Sequence, residues 1–187
     1  MDRNKIIRSA RTGEEMIKAT LGQAPIHLYS DLCKDAKKHG ILRLLAHMFK
    51  RSENHIILLQ NPQDMSSGHW ISISRNLPKK EIYFFSSYGG KPDVEKIAWL
   101  DAKDLKRSNQ DLNLFNDGFH ELQKHGWTIH YNDVPYQVPG DKTATCGIYV
   151  AAFIRSGVNP EEFRKQNLAL ERRGIDPVIY YYKKYFI

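Results

Sequence analysis

Residues 145–154 read Thr145-Cys146-Gly147-Ile148-Tyr149-Val150-Ala151-Ala152-Phe153-Ile154 and carry almost no polar side chain. A helix that is apolar on every side must lie inside a core, covered by other elements. Ile148, Tyr149 and Val150 would also suit a strand. Ala151-Ala152 and the Gly157 that follows favour a helix with a glycine stop. The expected centre of the molecule is therefore a buried helix beginning at Cys146.

Working outward, the rest of the chain alternates between helix and strand signals. Upstream, Arg11 to Leu21 suits a short helix. Pro25 to Tyr29 is extended, Ser30-Asp31 suits a helix cap before Leu32, and Ile41, Leu44, Leu45 and Met48 recur at helical spacing within Ile41–Lys50. His55–Gln60, His69–Arg75 and Glu81–Ser87 read as strands. Asn76–Lys79 fits the turn between the last two. Lys103 to Lys124 reads as an amphipathic helix, Trp127–Tyr131 as a strand, and Tyr136-Gln137-Val138 as a further extension of the sheet. Pro160–Arg173 and Pro177–Ile187 read as helices. The predicted class is α+β: a small mixed or antiparallel sheet flanked by helices, in one domain spanning residues 1–187.

Composition narrows the classes of function. The chain has 187 residues, of which 41% are hydrophobic and 26% charged, the balance of a globular domain. No apolar run approaches the roughly 20 residues that span a bilayer, so no membrane partner is expected. The start, Met1-Asp2-Arg3-Asn4-Lys5, lacks the apolar core of a signal peptide. The expected location is a cytoplasm, a nucleus or a virion assembled there. Two cysteines, Cys33 and Cys146, cannot form a disulfide framework or a four-thiolate zinc site. His120, His125 and His130 are five apart and share no helix face, so no metal is expected. The net charge of +7 and pI near 9.3 favour nonspecific contact with a polyanion such as DNA. The basic residues are scattered in pairs, without a base-reading motif.

Cysteine catalysis requires a thiolate and a base that generates it. Cys146 follows a Gly/Asp/Thr-containing loop (Pro139–Thr145) and opens the apolar helix. The helix N-terminus carries partial positive charge that favours a thiolate. Taken alone, a buried cysteine is more often inert filling. His69, between Gly68 and Trp70 at the mouth of a strand, supplies a candidate base. A turn centred on Leu77-Pro78 makes antiparallel partners sum to 155 (77 + 78), which puts His69 opposite Ser86. Ser86 is then a candidate partner that orients the imidazole. Asp93 is the alternative, if the Gly89-Gly90 turn folds back, and Glu81 lies at the wrong end of the hairpin. Gln137 is a candidate oxyanion-hole donor beside the Cys146 amide. Trp70 and Gly147 are candidates for a narrow substrate cleft that admits glycine. Cys33 sits in a polar helical stretch and has no such setting.

Gly68-His69-Trp70, the hairpin ending Tyr83-Phe84-Phe85-Ser86-Ser87-Tyr88-Gly89, Gln137 and Thr145-Cys146-Gly147 resemble the adenovirus proteinase family, which is related to the SUMO-deconjugating cysteine proteases. The order histidine, third residue, glutamine, cysteine differs from papain-like enzymes, whose cysteine comes first. The resemblance covers about His55 to Ile154. It implies an adenovirus proteinase-like fold and a cysteine endopeptidase with Cys146 as nucleophile, His69 as base and Gln137 at the oxyanion hole. Ser86 stands where the family has an acid or amide, and Gln137 lies nine residues before Cys146, which requires a bulged loop. The short, basic chain is most like the capsid-maturation proteases of virophages and self-synthesising transposons. Such an enzyme is expected to be a monomer with a capsid precursor as its protein substrate, often cut near glycine. It would need no cofactor chemically, although DNA is an activator in the adenovirus case. The alternatives are a ubiquitin-like or SUMO deconjugating protease, and a basic nucleic-acid-binding protein of this fold without activity.

Overall fold

The computed structural model describes residues 2–97, 100–137 and 143–187. The chain opens with α1 (Arg3–Arg8) and α2 (Gly13–Ala19), followed by β1 (Ile26–Leu28), α3 (Tyr29–His39) and α4 (Ile41–Arg51). Three strands come next: β2 (Asn54–Asn61), β3 (Asp64–Asn76) and β4 (Glu81–Ser86). Then follow α5 (Val94–Ile97), α6 (Ala102–Arg107), α7 (Leu114–Lys124) and β5 (Thr128–Tyr131). The chain ends with α8 (Cys146–Ser156), α9 (Pro160–Arg172) and α10 (Pro177–Tyr185). The class is α+β, with a mixed sheet flanked by helices and the buried helix starting at Cys146.

The five strands lie in sequence order. The central pairs β2–β3 and β3–β4 are antiparallel, while the outer pairs β1–β2 and β4–β5 are parallel. Side chains alternate between the two faces of a strand, and here both faces are covered. Ile56, Leu58, Trp70, Tyr83 and Phe85 face α8, α9 and α10 in one apolar cluster. Ile57, Leu59, Ile71, Ile73, Ile82 and Phe84 face α3, α4 and α7 in another. That two-sided burial explains the near-continuous apolar runs in β2 and β4. Nine of the eleven residues of α8, Cys146 through Ile154, are buried, as a helix apolar all round requires.

Local chemistry sets several helix ends. Thr12 and Glu15 form a capping box at the start of α2. Asn159 caps α9 with Pro160 in its first turn, and Asp176 caps α10. Gly157 closes α8 in the left-handed conformation, φ 64°.

Four local expectations need correction. Lys103–Lys124 is two helices, not one, because residues 108–113 are engaged elsewhere. There the buried Gln110 side chain pairs with both backbone groups of Gln60, at 2.8 and 2.9 Å. The hairpin register is displaced: Ile71 pairs with Ser86 and Asn76 with Glu81, so partners sum to 157. Lys80 at φ 53° closes a longer turn than one centred on Leu77-Pro78. Helix α3 starts at Tyr29, with Leu28 as its N-cap, rather than at a Ser30-Asp31 cap. Tyr136 and Gln137 add no strand; their amides both donate to the Ser87 carbonyl, at 2.8 and 2.9 Å. Val138, also read as strand, lies outside the described residues, as do residues 139–142 of the loop before Cys146. Among the described residues, no helix is long and apolar enough to cross a membrane.

Candidate active site

His69 is positioned by the strand and by the glycine before it. A Cβ at Gly68 would stand 1.9 Å from the Leu59 carbonyl oxygen, so β3 can approach β2 there only with glycine. The imidazole is buried, at 2% exposure. Its Nε2 lies 3.0 Å from Ser86 Oγ. Its plane stacks on Tyr88, with ring centroids 3.7 Å apart and 5° between planes. Nδ1 has no hydrogen-bond partner among the described residues. The register of 157 accounts for both neighbours. A shift of two residues keeps side chains on the same face. It makes Tyr88 (69 + 88) the position across from His69 and Ser86 its diagonal neighbour.

Ser86 is held on all sides. Its amide donates to Asn132 Oδ1 at 3.1 Å, and its carbonyl accepts from Asn132 Nδ2 at 2.7 Å. Its hydroxyl oxygen accepts from the Tyr88 amide at 3.3 Å. A serine oxygen has two lone pairs. With the Tyr88 amide on one, the other is available to an Nε2–H of His69. That tautomer leaves the Nδ1 lone pair as the basic site of the ring.

Cys146 is the first residue of α8, where backbone N–H groups have no helical acceptors. Its own amide and those of Gly147 and Trp70 favour a thiolate, against burial, which disfavours it more. The Trp70 amide lies one residue beyond the last β3–β4 pair, Ile71 with Ser86. Cys146 shares a buried apolar cluster with Trp70, the residue that follows His69. Cys146 also lies close enough to the Tyr88 phenol to act on it electrostatically. Burial dominates both titrating groups: it pushes the Cys146 thiol up and pulls His69 down to about 3.

Gln137 is buried and fixed from both ends. Its Oε1 accepts from the hydroxyls of Ser87 and Thr145, each at 3.2 Å, and its Nε2 donates to the Thr143 carbonyl at 2.6 Å. Thr145 adjoins Cys146, so the amide is tied to the cysteine loop. Trp70 and Gly147 are brought to the same place, and both are covered by Arg11. The indole Nε1–H of Trp70 donates to the Arg11 carbonyl at 2.9 Å. A Cβ on Gly147 would meet the Arg11 stem at 2.8 Å.

Asp93 is not brought to His69. It accepts from the Phe115 and Asn116 amides at the start of α7, both at 2.8 Å, and from the Tyr29 hydroxyl. Lys96 Nζ is 4.0 Å away. Cys33 lies in the cluster beneath α3, with its thiol pushed up to about 12 by burial. Among the described residues, no group of three His, Cys, Asp or Glu side chains is placed to hold a metal ion.

Sequence reasoning missed Tyr88, Asn132, Thr145 and Arg11. Tyr88 was within reach: the same parity argument that selected Ser86 selects the position two residues on. Asn132 and Arg11 gave no signal, because their contacts span 46 and 59 residues of chain.

No family model matches the chain, and no curated protein matches it. Solved structures do. The C-terminal protease domain of Ulp1, in complex with Smt3, the yeast ortholog of SUMO, is similar over 80% of this chain and 66% of that one, at 20% identity and a TM-score of 0.41. The SUMO protease Ulp1 with its catalytic cysteine oxidized to a sulfinic acid is similar over 77% and 62%, at 19% identity and a TM-score of 0.37. The form oxidized to a sulfonic acid gives 77% and 63%, 20% identity and a TM-score of 0.38. The chain thus spans 62–66% of the length of these structures.

Proposed function

We propose that the protein is a cysteine endopeptidase with Cys146 as nucleophile and His69 as base. The observation that carries this reading is the setting of His69. Ser86 and Tyr88 fix its ring, Nδ1 is left without a partner among the described residues, and the next residue along the strand, Trp70, shares a buried apolar cluster with Cys146. His69 Nδ1 takes the thiol proton as sulfur attacks the peptide carbonyl. The oxyanion forms beside the Cys146 amide and Gln137 Nε2, whose second hydrogen is not used by Thr143. The imidazolium then protonates the leaving amine, giving a thioester. Water, deprotonated by His69, hydrolyses the thioester and restores the thiol. Nucleophile, base and donors are all protein groups, so the reaction needs no cofactor.

The proposed substrates are capsid or other structural precursor proteins, cut beside small residues. The resemblance of the Gly68-His69-Trp70 and Thr145-Cys146-Gly147 motifs to maturation proteases supports this choice. The excess of positive charge supports DNA as a nonspecific activator. The test compares cleavage of a capsid precursor and of ubiquitin-like conjugates by the full chain, with and without duplex DNA, across a salt series. Precursor cleavage that DNA accelerates at low salt is expected. Cleavage of the conjugates alone would move the protein to the deconjugating class. Absence of cleavage, together with alkylation of Cys146 that is indifferent to His69→Ala, would remove the enzyme reading.

A further inference from the structure

The chain from the last turn of α1 to the start of α2 crosses the candidate site. The Ile7 carbonyl accepts from the amide of Ala144, two residues before the cysteine, at 2.6 Å. Four residues later, the Arg11 carbonyl accepts from the Trp70 indole, one residue after the histidine, at 2.9 Å. The segment therefore spans from the cysteine loop to the histidine strand. The Arg11 stem packs on Gly147, as described, and Met16 Sδ closes the same space at 3.0 Å from where a Cβ would stand. Cys146, between Ala144 and Gly147, is 7% exposed, and His69, stacked on Tyr88, is 2% exposed.

The strap is tied down at three points that a peptide substrate would not supply. Arg11 is 6% exposed, and its guanidinium lies 5.3 Å from the Tyr182 ring and 5.9 Å from the Phe186 ring, at the end of α10. It also bonds the Ser9 carbonyl at 3.0 Å and Glu15 at 3.1 Å. Farther back, Arg3 pairs with Asp176 at 2.6 Å. Ser9 and Ala10, between these anchors, are exposed. The strap is thus a short bridge held at its ends, with peptide carbonyls on two donors at the edges of the site.

We propose that residues 7–11 occupy the substrate cleft as an intramolecular strap, and that peptide substrates bind only when it lifts, taking the Ala144 amide and the Trp70 indole N–H in its place. The inference rests on the protease reading and extends it to regulation. A protein whose competent state is a minor fraction binds its ligand more weakly by that fraction. Loosening the strap should therefore lower KM and leave kcat unchanged, since no reacting group is touched.

The experiment uses the full chain and its Arg11→Ala, Arg11→Lys and Arg3→Ala variants. It measures peptide turnover, the rate of iodoacetamide alkylation at Cys146 (assigned by mass spectrometry) and thermal melting. For a strap closed about nine-tenths of the time, Arg11→Ala should lower KM and raise the alkylation rate by roughly tenfold. Arg11→Lys, which keeps the stem and the charge, should stay near the parent. Arg3→Ala should give a smaller rise, and its exposed side chain makes unfolding a poor explanation of any change. A folded Arg11→Ala with parental KM and alkylation rate would overturn the strap, as would a fall in kcat. If Arg11→Ala does not fold, parental values in Arg3→Ala overturn it. Adding His69→Ala to each variant separates the two claims. Alkylation that never depends on His69 defeats the protease reading, whereas dependence on His69 with indifference to Arg11 and Arg3 defeats the strap alone.

Discussion

Two buried polar clusters lie at the end of the β3–β4 hairpin and just beyond it, and they are built in opposite ways. Asp93, Tyr29 and Lys96 spend their donors and acceptors on one another and on nearby backbone groups, while the Glu95 carboxylate between them is buried without a partner among the described residues. The carboxylate takes two amides of α7 and the Tyr29 hydroxyl, and the Lys96 ammonium takes the Gln110 and Leu112 carbonyls and Tyr29. Around His69 the ring is clamped by Ser86 and Tyr88, yet Nδ1 has no partner among the described residues, and the backbone of Trp70, Cys146 and Gly147 favours a thiolate at Cys146. The first cluster fastens α5, α7 and α3 together. The second is rigid but holds reactive atoms in reserve, an arrangement that suits chemistry more than stability. The alternative acid, Asp93, is thus a structural staple, and the group beside the imidazole is the neutral Ser86.

The sharpest break of this comparison lies in the reactive pair. Cys146→Ala and His69→Ala should each lower turnover by at least about a thousandfold, and the double variant should lose little more, because the two act as one unit. Single-turnover assays on one peptide check this. Additive losses would show that the residues act separately.

Asp93→Ala should do the reverse. It leaves the Lys96 ammonium, 1% exposed, without its carboxylate, and breaking a buried pair in this way costs about 3–5 kcal/mol. Urea denaturation should show that loss, while kcat of the folded fraction stays parental. A large fall in kcat with unchanged stability would put Asp93 in the catalytic machinery after all.

Acid should separate the clusters through His69. Its folded pKa of about 3 lies below the ordinary 6.5, so between those values the unfolded chain binds more protons than the native one. Stability therefore rises with pH across that window, and the His69 contribution is lost as pH falls toward 3. His55, pulled down to about 4 by burial, acts in the same sense. His69→Gln should give a shallower dependence of unfolding free energy on pH than the parent. An identical slope would mean that the imidazole is solvated in solution.

The smallest expected effect is the most discriminating. Ser86→Ala removes one neutral hydrogen bond to the ring, worth roughly 1 kcal/mol, and should slow turnover about tenfold. The stack on Tyr88 still restrains the plane. A loss of several orders of magnitude would show that the serine is indispensable rather than orienting.

Much of this architecture can be read from residue patterns. The apolar run from Ile148 to Ile154 identifies the central helix. The alternation of Ile71 and Ile73 with Ser72 and Ser74 identifies β3, and Gly68-His69-Trp70 with Thr145-Cys146-Gly147 points to the proposed reactive pair. The parity of the hairpin placed Ser86 on the face of His69, although the register itself was displaced by two. Side-chain period is a local property, so sequence by itself determines it. Contacts across long stretches of chain are not. That Asp93 turns to α7, that Asn132 clamps Ser86, that residues 108–113 abandon the helix to pair Gln110 with Gln60, and that Arg11 lies over Gly147 were decided only by tertiary structure. Each of these side chains is a polar group with several chemically equivalent partners along the chain, and only packing selects which partner is within reach.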